Sequence, residues 1–170
     1  KCFCLYFLYI SNYAYICSMI AVITGDIINS QHADTEVWIT RLKHLLEKWG
    51  SAPHTWEIYR GDEFQFKCRI DDVFWRFLAI KSLIKSVENL DVRMAIGIGE
   101  ESFSSEKITE SNGTAYVNSG RLLNDLKSDG HTVAIKTSSC FLRQYSHLIC
   151  LNGYYIIKKI AIHIAYTTYS

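Results

Sequence analysis

Residues 19–26 read MIAVITGD, and this stretch decides the fold. Six apolar or β-branched residues run without interruption up to a Gly-Asp pair. Such a run is typical of a central strand that is buried on both faces. We therefore predict that the fold begins with a central strand at Met19, and that Asp26 lies at the end of that strand.

The sequence beyond this strand alternates between helical and strand patterns. In chain order, the predicted elements are a helix over 34–49, a hairpin of strands 54–60 and 63–69 joined at Gly61-Asp62, a helix capped by Asp71 or Asp72 that runs to about 89, a strand over 91–99, a helix over 113–127, a strand over 131–136 and a helix near 138–147. The order βαββαβ, followed by a helix and a strand, predicts an α+β, ferredoxin-like antiparallel sheet with helices on one face.

The strand predicted over 91–99 has one small face. Ala95, Gly97 and Gly99 alternate there with larger apolar residues, which lets another group approach the strand closely. We interpret this face as a packing surface, and in a homodimer it would contact the second protomer.

The overall composition fits one compact domain and excludes several function classes. The chain has 170 residues, of which 49% are hydrophobic, and this is enough for one core. Its formal net charge of +1 gives no electrostatic reason to expect binding to nucleic acid or to an acidic surface. The six cysteines include no CxxC pair, which argues against a structural zinc site.

The composition of the two ends differs from that of the middle. All 17 acidic residues lie between residues 26 and 129, whereas the ends are rich in tyrosine and cysteine. We interpret residues 1–18 as upstream or foreign sequence, 19–147 as the folded domain, and 148–170 as an atypical tail that arises from truncation or a frameshift.

Two alternatives for the ends stay open. Residues 2–25 carry no charge and are long enough to span a bilayer as a helix, although polar residues dilute the run and its last six residues are needed for the first strand. In the tail, IIKKIAIHIAY is an alternative amphipathic edge strand. We expect a cytoplasmic protein without a membrane anchor.

Two aspartates follow glycines in the predicted sheet, Asp26 after Gly25 and Asp62 after Gly61. The first and third strands of a ferredoxin-like sheet are antiparallel neighbours, so the two carboxylates are expected to meet at one sheet edge. Hard carboxylate oxygens suit Mg²⁺ that is bound together with substrate phosphates. Glu63 is a third candidate ligand, but along a strand it points to the opposite face unless the turn is bulged. Each aspartate taken alone is more often a turn or capping residue than a ligand.

Four separated motifs within residues 19–136 carry a family resemblance. MIAVITGDIINS, RGDEFQF, VRMAIGIGE and SGRLL, in this order, resemble the SatD family of bacterial proteins. More distantly, they are similar to the class III nucleotidyl cyclases and the GGDEF diguanylate cyclases. The resemblance implies a nucleotidyl-cyclase-like fold, a bound nucleotide (ATP or GTP) and Mg²⁺ or Mn²⁺ as cofactor. In the cyclases, two metal ions polarise the phosphates while a 3′-hydroxyl attacks the α-phosphate.

The resemblance also assigns roles to residues of this chain. The implied metal ligands are Asp26, Asp62 and Glu63, the implied nucleotide-binding residues are Gly25, Ile27 and Gly61, and the implied catalytic residues are Asn118 and Arg121. Two features depart from the cyclase pattern. Cyclases place this Asn and Arg four residues apart on a late helix, whereas here they are three apart, and the apolar Ile58 stands where cyclases read the base.

These departures leave three functions open. The preferred interpretation is a regulatory module that binds nucleotide and divalent metal but has lost its chemistry. The first alternative is an active, metal-dependent enzyme of the nucleotidyl cyclase type, and the second is a dimerisation scaffold. The sequence predicts no partner among nucleic acids or membranes.

Overall fold

The computed structural model describes residues 19–137. Our interpretations of residues 1–18, of the helix near 138–147 and of the tail at 148–170 fall outside this range. Among the described residues, no helix is both long enough and apolar enough to cross a bilayer. Residues 20–25, at the end of the uncharged run, belong to the first strand.

The described domain is a five-stranded sheet with three α-helices and short 3₁₀ turns at Ser30–His32 and Ile108–Glu110. The elements are β1 (Ile20–Ile28), α1 (Thr35–Glu47), β2 (Trp56–Tyr59), β3 (Glu63–Arg69), α2 (Ile70–Lys85), β4 (Asp91–Gly99), α3 (Thr114–Asp129) and β5 (Val133–Thr137). The strand order is β2-β3-β1-β4-β5, so β1 is the central strand. The α+β, ferredoxin-like prediction is confirmed for the βαββαβ unit.

One side of the sheet, which we call the helix face, is covered by α1 and α2. Its core is apolar and includes Ile23 and Phe66 of the sheet, Trp38 and Leu42 of α1, and Phe77 of α2, all of them almost fully buried. These helices present apolar residues at intervals of three or four, which places a continuous stripe against the strands. The two helices of the βαββαβ unit therefore share one face, as predicted.

Within residues 19–137, the other side, which we call the groove face, is covered by α3 and by the 3₁₀ turn at Ile108–Glu110, whose Ile108 packs with Val22 in a second apolar cluster. A Cβ added to Gly97 would overlap the carbonyl oxygen of Ala115, and one added to Gly99 would overlap Thr114, so α3 lies directly on the small face of β4. The prediction that helices lie on one face therefore does not extend to α3, since it follows the βαββαβ unit and packs on the opposite side. The small face that we assigned to a dimer contact is filled by this helix.

Two further details differ from the sequence-based expectation. β5 pairs with β4 in parallel, so the sheet is mixed at this edge. Neither Asp71 nor Asp72 caps α2, because the cap position is Arg69 and no side chain makes a capping hydrogen bond there. Asp71 instead accepts a hydrogen bond from Arg69 at the surface. α1 begins at Thr35, one residue after the predicted start, and the Asp34 side chain accepts from the main-chain N–H of Glu36.

Candidate functional site

The register between β1 and its neighbours determines which side chains meet at the end of β1. Asp26 pairs with Glu63 of β3 on one side and with Arg93 of β4 on the other. Paired residues project from the same face of a sheet, so all three lie on the groove face. The acidic residue opposite Asp26 is therefore Glu63 rather than Asp62.

Asp26, Glu63, Arg93 and Lys127 form a compact group of charges, which we call the charge cluster. Arg93 Nη1 donates to Asp26 Oδ2 at 2.8 Å. Lys127 Nζ, from the last turn of α3, lies 3.3 Å from Asp26 Oδ1 and 2.9 Å from Glu63 Oε1. The Asp26 and Glu63 side chains are only 12% and 15% exposed, so water screens these contacts less than it screens a surface pair. The Nε–H of Arg93 is buried and has no hydrogen-bond partner among the described residues.

Asp62 lies in the turn of the β2–β3 hairpin and makes separate contacts. Its Oδ2 accepts a hydrogen bond from Ser30 Oγ at 3.1 Å, and its main-chain oxygen accepts from the N–H of Ile27 at 3.0 Å. The turn itself has positive φ at Arg60 (52°) and Gly61 (89°), as the two central residues of a type I′ hairpin turn do. The structure thus brings the main chains at Ile27 and Asp62 together, while the Asp62 carboxylate is held by Ser30.

A groove of about 460 Å³ opens beside the charge cluster, between the hairpin and α3. This volume is within the range of small-molecule sites, about 300–1,000 Å³. Its lining residues are Thr24, Tyr59, Arg60, Glu63, Tyr116, Val117, Gly120, Arg121, Leu123 and Asn124. Gly120 contributes open space, because a Cβ added there would meet nothing within 4 Å.

Two arginines stand on different walls of this groove. Arg60, on the hairpin, is 78% exposed, and its ion pair with Glu63 is long, at 3.9 Å. Arg121, on α3, is exposed and makes no hydrogen bond or ion pair with the described residues. A second cavity of about 380 Å³ continues past Tyr59 and Arg60 towards Thr109. The groove therefore offers the Arg121 guanidinium, which pairs with none of the described residues, and the exposed Arg60 guanidinium, which makes one long contact with Glu63.

Asn118 and Arg121 point in different directions from α3. Asn118 is almost buried, and its Nδ2 donates to the main-chain oxygen of Ile98 on β4 at 3.3 Å. Arg121 faces the groove. Residues three apart on a helix share a side but differ in direction by about 60°, which here separates a packing residue from a groove residue.

The three residues assigned to nucleotide contacts have different surroundings. Gly25 projects towards the helix face, where an added Cβ would overlap the Phe64 ring. Ile27 is 3% exposed and packs in the core of that face. Gly61 is in the open turn, with nothing within 4 Å of an added Cβ. Ile58 pairs with Phe64 and also packs against the helix-face core.

The charge cluster already contains its own cations, which bears on the metal expected from the resemblance. Both oxygens of Asp26 contact a basic side chain, and Glu63 contacts Lys127. Within residues 19–137, no group of three His, Cys, Asp or Glu side chains is placed to share an ion. In this arrangement the donor set does not fit a divalent ion, because each carboxylate would first have to leave a cation. The joint metal site of Asp26 and Asp62 stays a prediction.

Three groups on the groove face titrate at higher pH than usual. Burial, and then the negative charge of Glu63, raise the pKa of Tyr59 to about 12. Burial and the hydrogen bond to Glu101 raise the pKa of Tyr116. Burial alone would lower the pKa of Lys127, but the contacts with Glu63 and Asp26 outweigh it and raise the pKa. At neutral pH the groove face therefore keeps two phenols and an ammonium ion.

Comparison with known proteins finds structural similarity alone. No protein-family model matches the chain, and no curated protein matches it. The GGDEF domain of DgcB from Caulobacter crescentus, solved in complex with c-di-GMP, is 14% identical with a TM-score of 0.49, over 70% of this chain and 77% of that one. The active GGEEF domain of a diguanylate cyclase from Vibrio cholerae is 15% identical with a TM-score of 0.47, over 76% and 89%. With TM-scores below 0.5, these matches carry no inference about ligand or activity here. The resemblance to SatD proteins stays a prediction from the motifs.

Proposed function

We propose that this chain is a regulatory module that binds a nucleotide in the groove between the hairpin and α3. The observation that carries the proposal is the presence of two guanidinium groups, Arg60 and Arg121, on different walls of one groove. Guanidinium groups bind phosphate oxygens through paired hydrogen bonds. The described residues carry 14 basic against 17 acidic side chains, so this gathering of cations is local.

The rest of the groove suits the uncharged parts of a nucleotide. Tyr59 offers an aromatic ring beside the arginines, and bases stack on such rings with little dependence on sequence. Asn124 offers both a donor and an acceptor, and Gly120 leaves space on the wall of α3. Ile58 packs against the helix-face core and so reads no base in this groove, and we expect the groove to accept both ATP and GTP.

We favour binding over catalysis because of the cations that a phosphoryl transfer needs. Its transition state depends on positioned cations, and a single arginine can contribute about 10³–10⁵ in rate. Asn118 is engaged with β4, and Arg121 is held in position by none of the residues that the structure describes. The alternative of an active cyclase-type enzyme rests on Asp26 and Asp62, with Glu63 as a third candidate ligand.

The experiment is a calorimetric titration of the full chain with ATP and with GTP. We expect both to bind, and Arg121→Ala to weaken binding about tenfold, since it removes one charged hydrogen-bond donor. Arg41→Ala is the matched control, because Arg41 is an exposed arginine on α1, on the other side of the sheet. Failure of both nucleotides to bind, or equal losses in the two variants, would contradict the proposal.

Incubation of the same protein with ATP or GTP tests the alternative. Analysis of the products by chromatography is expected to show little or no cyclic nucleotide. Robust turnover that is lost in Asp26→Asn would establish the enzyme instead.

A further inference from the structure

We infer that Lys127 takes the place of a divalent cation at the end of β1, so that phosphate-bearing ligands bind the groove without metal. The inference rests on the proposed function, because it concerns how the same groove tolerates an anion. It differs from the metal-dependent binding that the family resemblance implies.

The ammonium group of Lys127 lies between two carboxylates. Lys127 Nζ lies between one oxygen of Asp26 and one oxygen of Glu63, at 3.3 and 2.9 Å. These two residues come from paired positions on adjacent strands, so their carboxylates converge on one point. A single ammonium group at that point offsets the negative charge of both carboxylates, as a bridging metal ion would otherwise do.

The other oxygen of each carboxylate also lies near a basic side chain. Asp26 Oδ2 accepts from Arg93 at 2.8 Å, and Glu63 Oε2 faces Arg60 at 3.9 Å. Each carboxylate therefore has a cation on both of its oxygens. The two carboxylates meet three basic side chains, and the resulting surplus of positive charge lies next to the groove.

The pairing of the two carboxylates with basic side chains affects how a phosphate can enter the groove. Two carboxylates beside a groove would repel a polyphosphate, and divalent metal ions usually remove this repulsion. Here the repulsion is already offset mainly by Arg93 and Lys127, which the fold holds against the two carboxylates. Lys127 is 35% exposed, so its ammonium remains near solvent, while the two carboxylates are largely shielded. A metal ion would gain access only by displacing this ammonium.

The consequence is a reversal of the usual metal dependence. The wild-type chain binds ATP about equally well in excess EDTA and in millimolar MgCl₂, and it binds Mn²⁺ alone weakly. Lys127→Met keeps an unbranched side chain of nearly the same length and removes the charge. In that variant, ATP binding in EDTA weakens by about tenfold or more, and MgCl₂ restores it, because the metal now reaches the two carboxylate oxygens that Lys127 contacts in the wild type.

The test is a set of titrations of the full chain with ATP, in EDTA and in MgCl₂, for wild type and Lys127→Met. Mn²⁺ alone is titrated by electron paramagnetic resonance, and we expect Lys127→Met to bind it more tightly than wild type. Lys43→Met on α1 is the matched control and should behave as wild type, since Lys43 is exposed and remote from the cluster. Lys127→Arg should retain metal-free binding, and circular dichroism checks that each variant is folded.

The outcomes separate this inference from the proposed function. Binding of ATP to wild type only in MgCl₂ would overturn the inference and leave the proposed function intact. Failure of ATP to bind under either condition would overturn both. Unchanged ATP and Mn²⁺ binding in Lys127→Met would assign Lys127 a purely structural role and overturn the inference.

Discussion

The two faces of the sheet are built from the same strands but differ in what lies on them. On β1, Ile23 projects into the helix face and the adjacent Thr24 projects into the groove face, where it donates to Ser119 Oγ at 2.9 Å. The helix face has one large apolar core under two helices, whereas the groove face combines two smaller apolar clusters, around Val22 and Leu123, with the polar side chains of the charge cluster and the groove. Stability should therefore come mainly from the helix face, and ligand binding from the groove face.

The largest expected difference in stability is between variants of two adjacent β3 residues, which project from opposite faces of the sheet. Phe66 is 1% exposed on the helix face, so Phe66→Ala should lower the free energy of unfolding by about 3–5 kcal/mol. Gln65 lies on the groove face and makes one long hydrogen bond to Thr24, so Gln65→Ala should cost no more than about 1 kcal/mol. Urea denaturation measures both. Similar losses would contradict the division between the faces. If Phe66→Ala does not fold, Phe66→Leu provides the milder comparison.

The next effect concerns two glycines at α3. Gly97→Ala should cost about 1–3 kcal/mol, because the added methyl overlaps main-chain atoms of Ala115 and Ser119 that cannot move aside. Gly120→Ala meets open space within the helix and should stabilise the protein by about 0.5–1 kcal/mol. The same methyl group narrows the groove, so nucleotide affinity should fall. Thermal unfolding and calorimetry give the two readouts, and a neutral Gly97→Ala would show that α3 is loosely seated.

Asn118 and Arg121 allow packing and nucleotide binding to be compared within one helix, α3. Asn118→Ala should cost about 1–3 kcal/mol, since it leaves the Ile98 carbonyl without this donor, and should have little effect on nucleotide affinity. Arg121→Ala should change stability by less than about 0.5 kcal/mol while weakening nucleotide binding. Chemical denaturation paired with calorimetry distinguishes the two. A catalytic pair would instead lose the same function in both variants.

The smallest expected effect is a loss of stability at alkaline pH. The pKa values of Tyr59, Tyr116 and Lys127 are raised in the folded chain, so the unfolded chain releases these protons first. Their contribution is complete below the ordinary tyrosine value of 10.0 and is lost as the pH rises towards 12. For the partly exposed Tyr59 we expect about 1 kcal/mol after screening by solvent. Denaturation midpoints at increasing pH test this, and Tyr59→Phe should reduce the slope.

Much of the fold could be predicted because its signals are local. The bounds of β4 agree with the predicted strand over 91–99, and α1 begins at Thr35, one residue after the predicted start at Asp34. The side on which α3 packs could not be predicted, since periodicity identifies an apolar stripe but not the face that it meets. The small residues of β4 did indicate a close contact, and its partner is α3.

The candidate site was predicted less well than the fold, because its composition depends on the exact pairing of β1 with β3. Asp26 was identified because the sequence placed it at the end of the first strand, although β1 continues to Ile28. A shift of one residue in the strand pairing decides whether Asp62 or Glu63 lies opposite it. The length of a hairpin loop can differ by one residue between similar turn sequences. In this chain, the residue that pairs with Asp26 is Glu63. Lys127 was missed because its partners are distant in sequence. Its position in the last turn of α3, where cations are favoured, was the one available signal.

The place of β1 at the centre of the sheet has a consequence for synthesis on the ribosome. β1 is the first described strand to be made, yet its partners come much later, since Ile20 pairs with Gly99 and Ile28 with Asp91. A strand this apolar must wait for most of the domain before its second edge is covered, and long-range pairing of this kind is slow. Chaperone binding to nascent chains should therefore be strongest before β4 has left the exit tunnel, and should fall once residue 99 emerges.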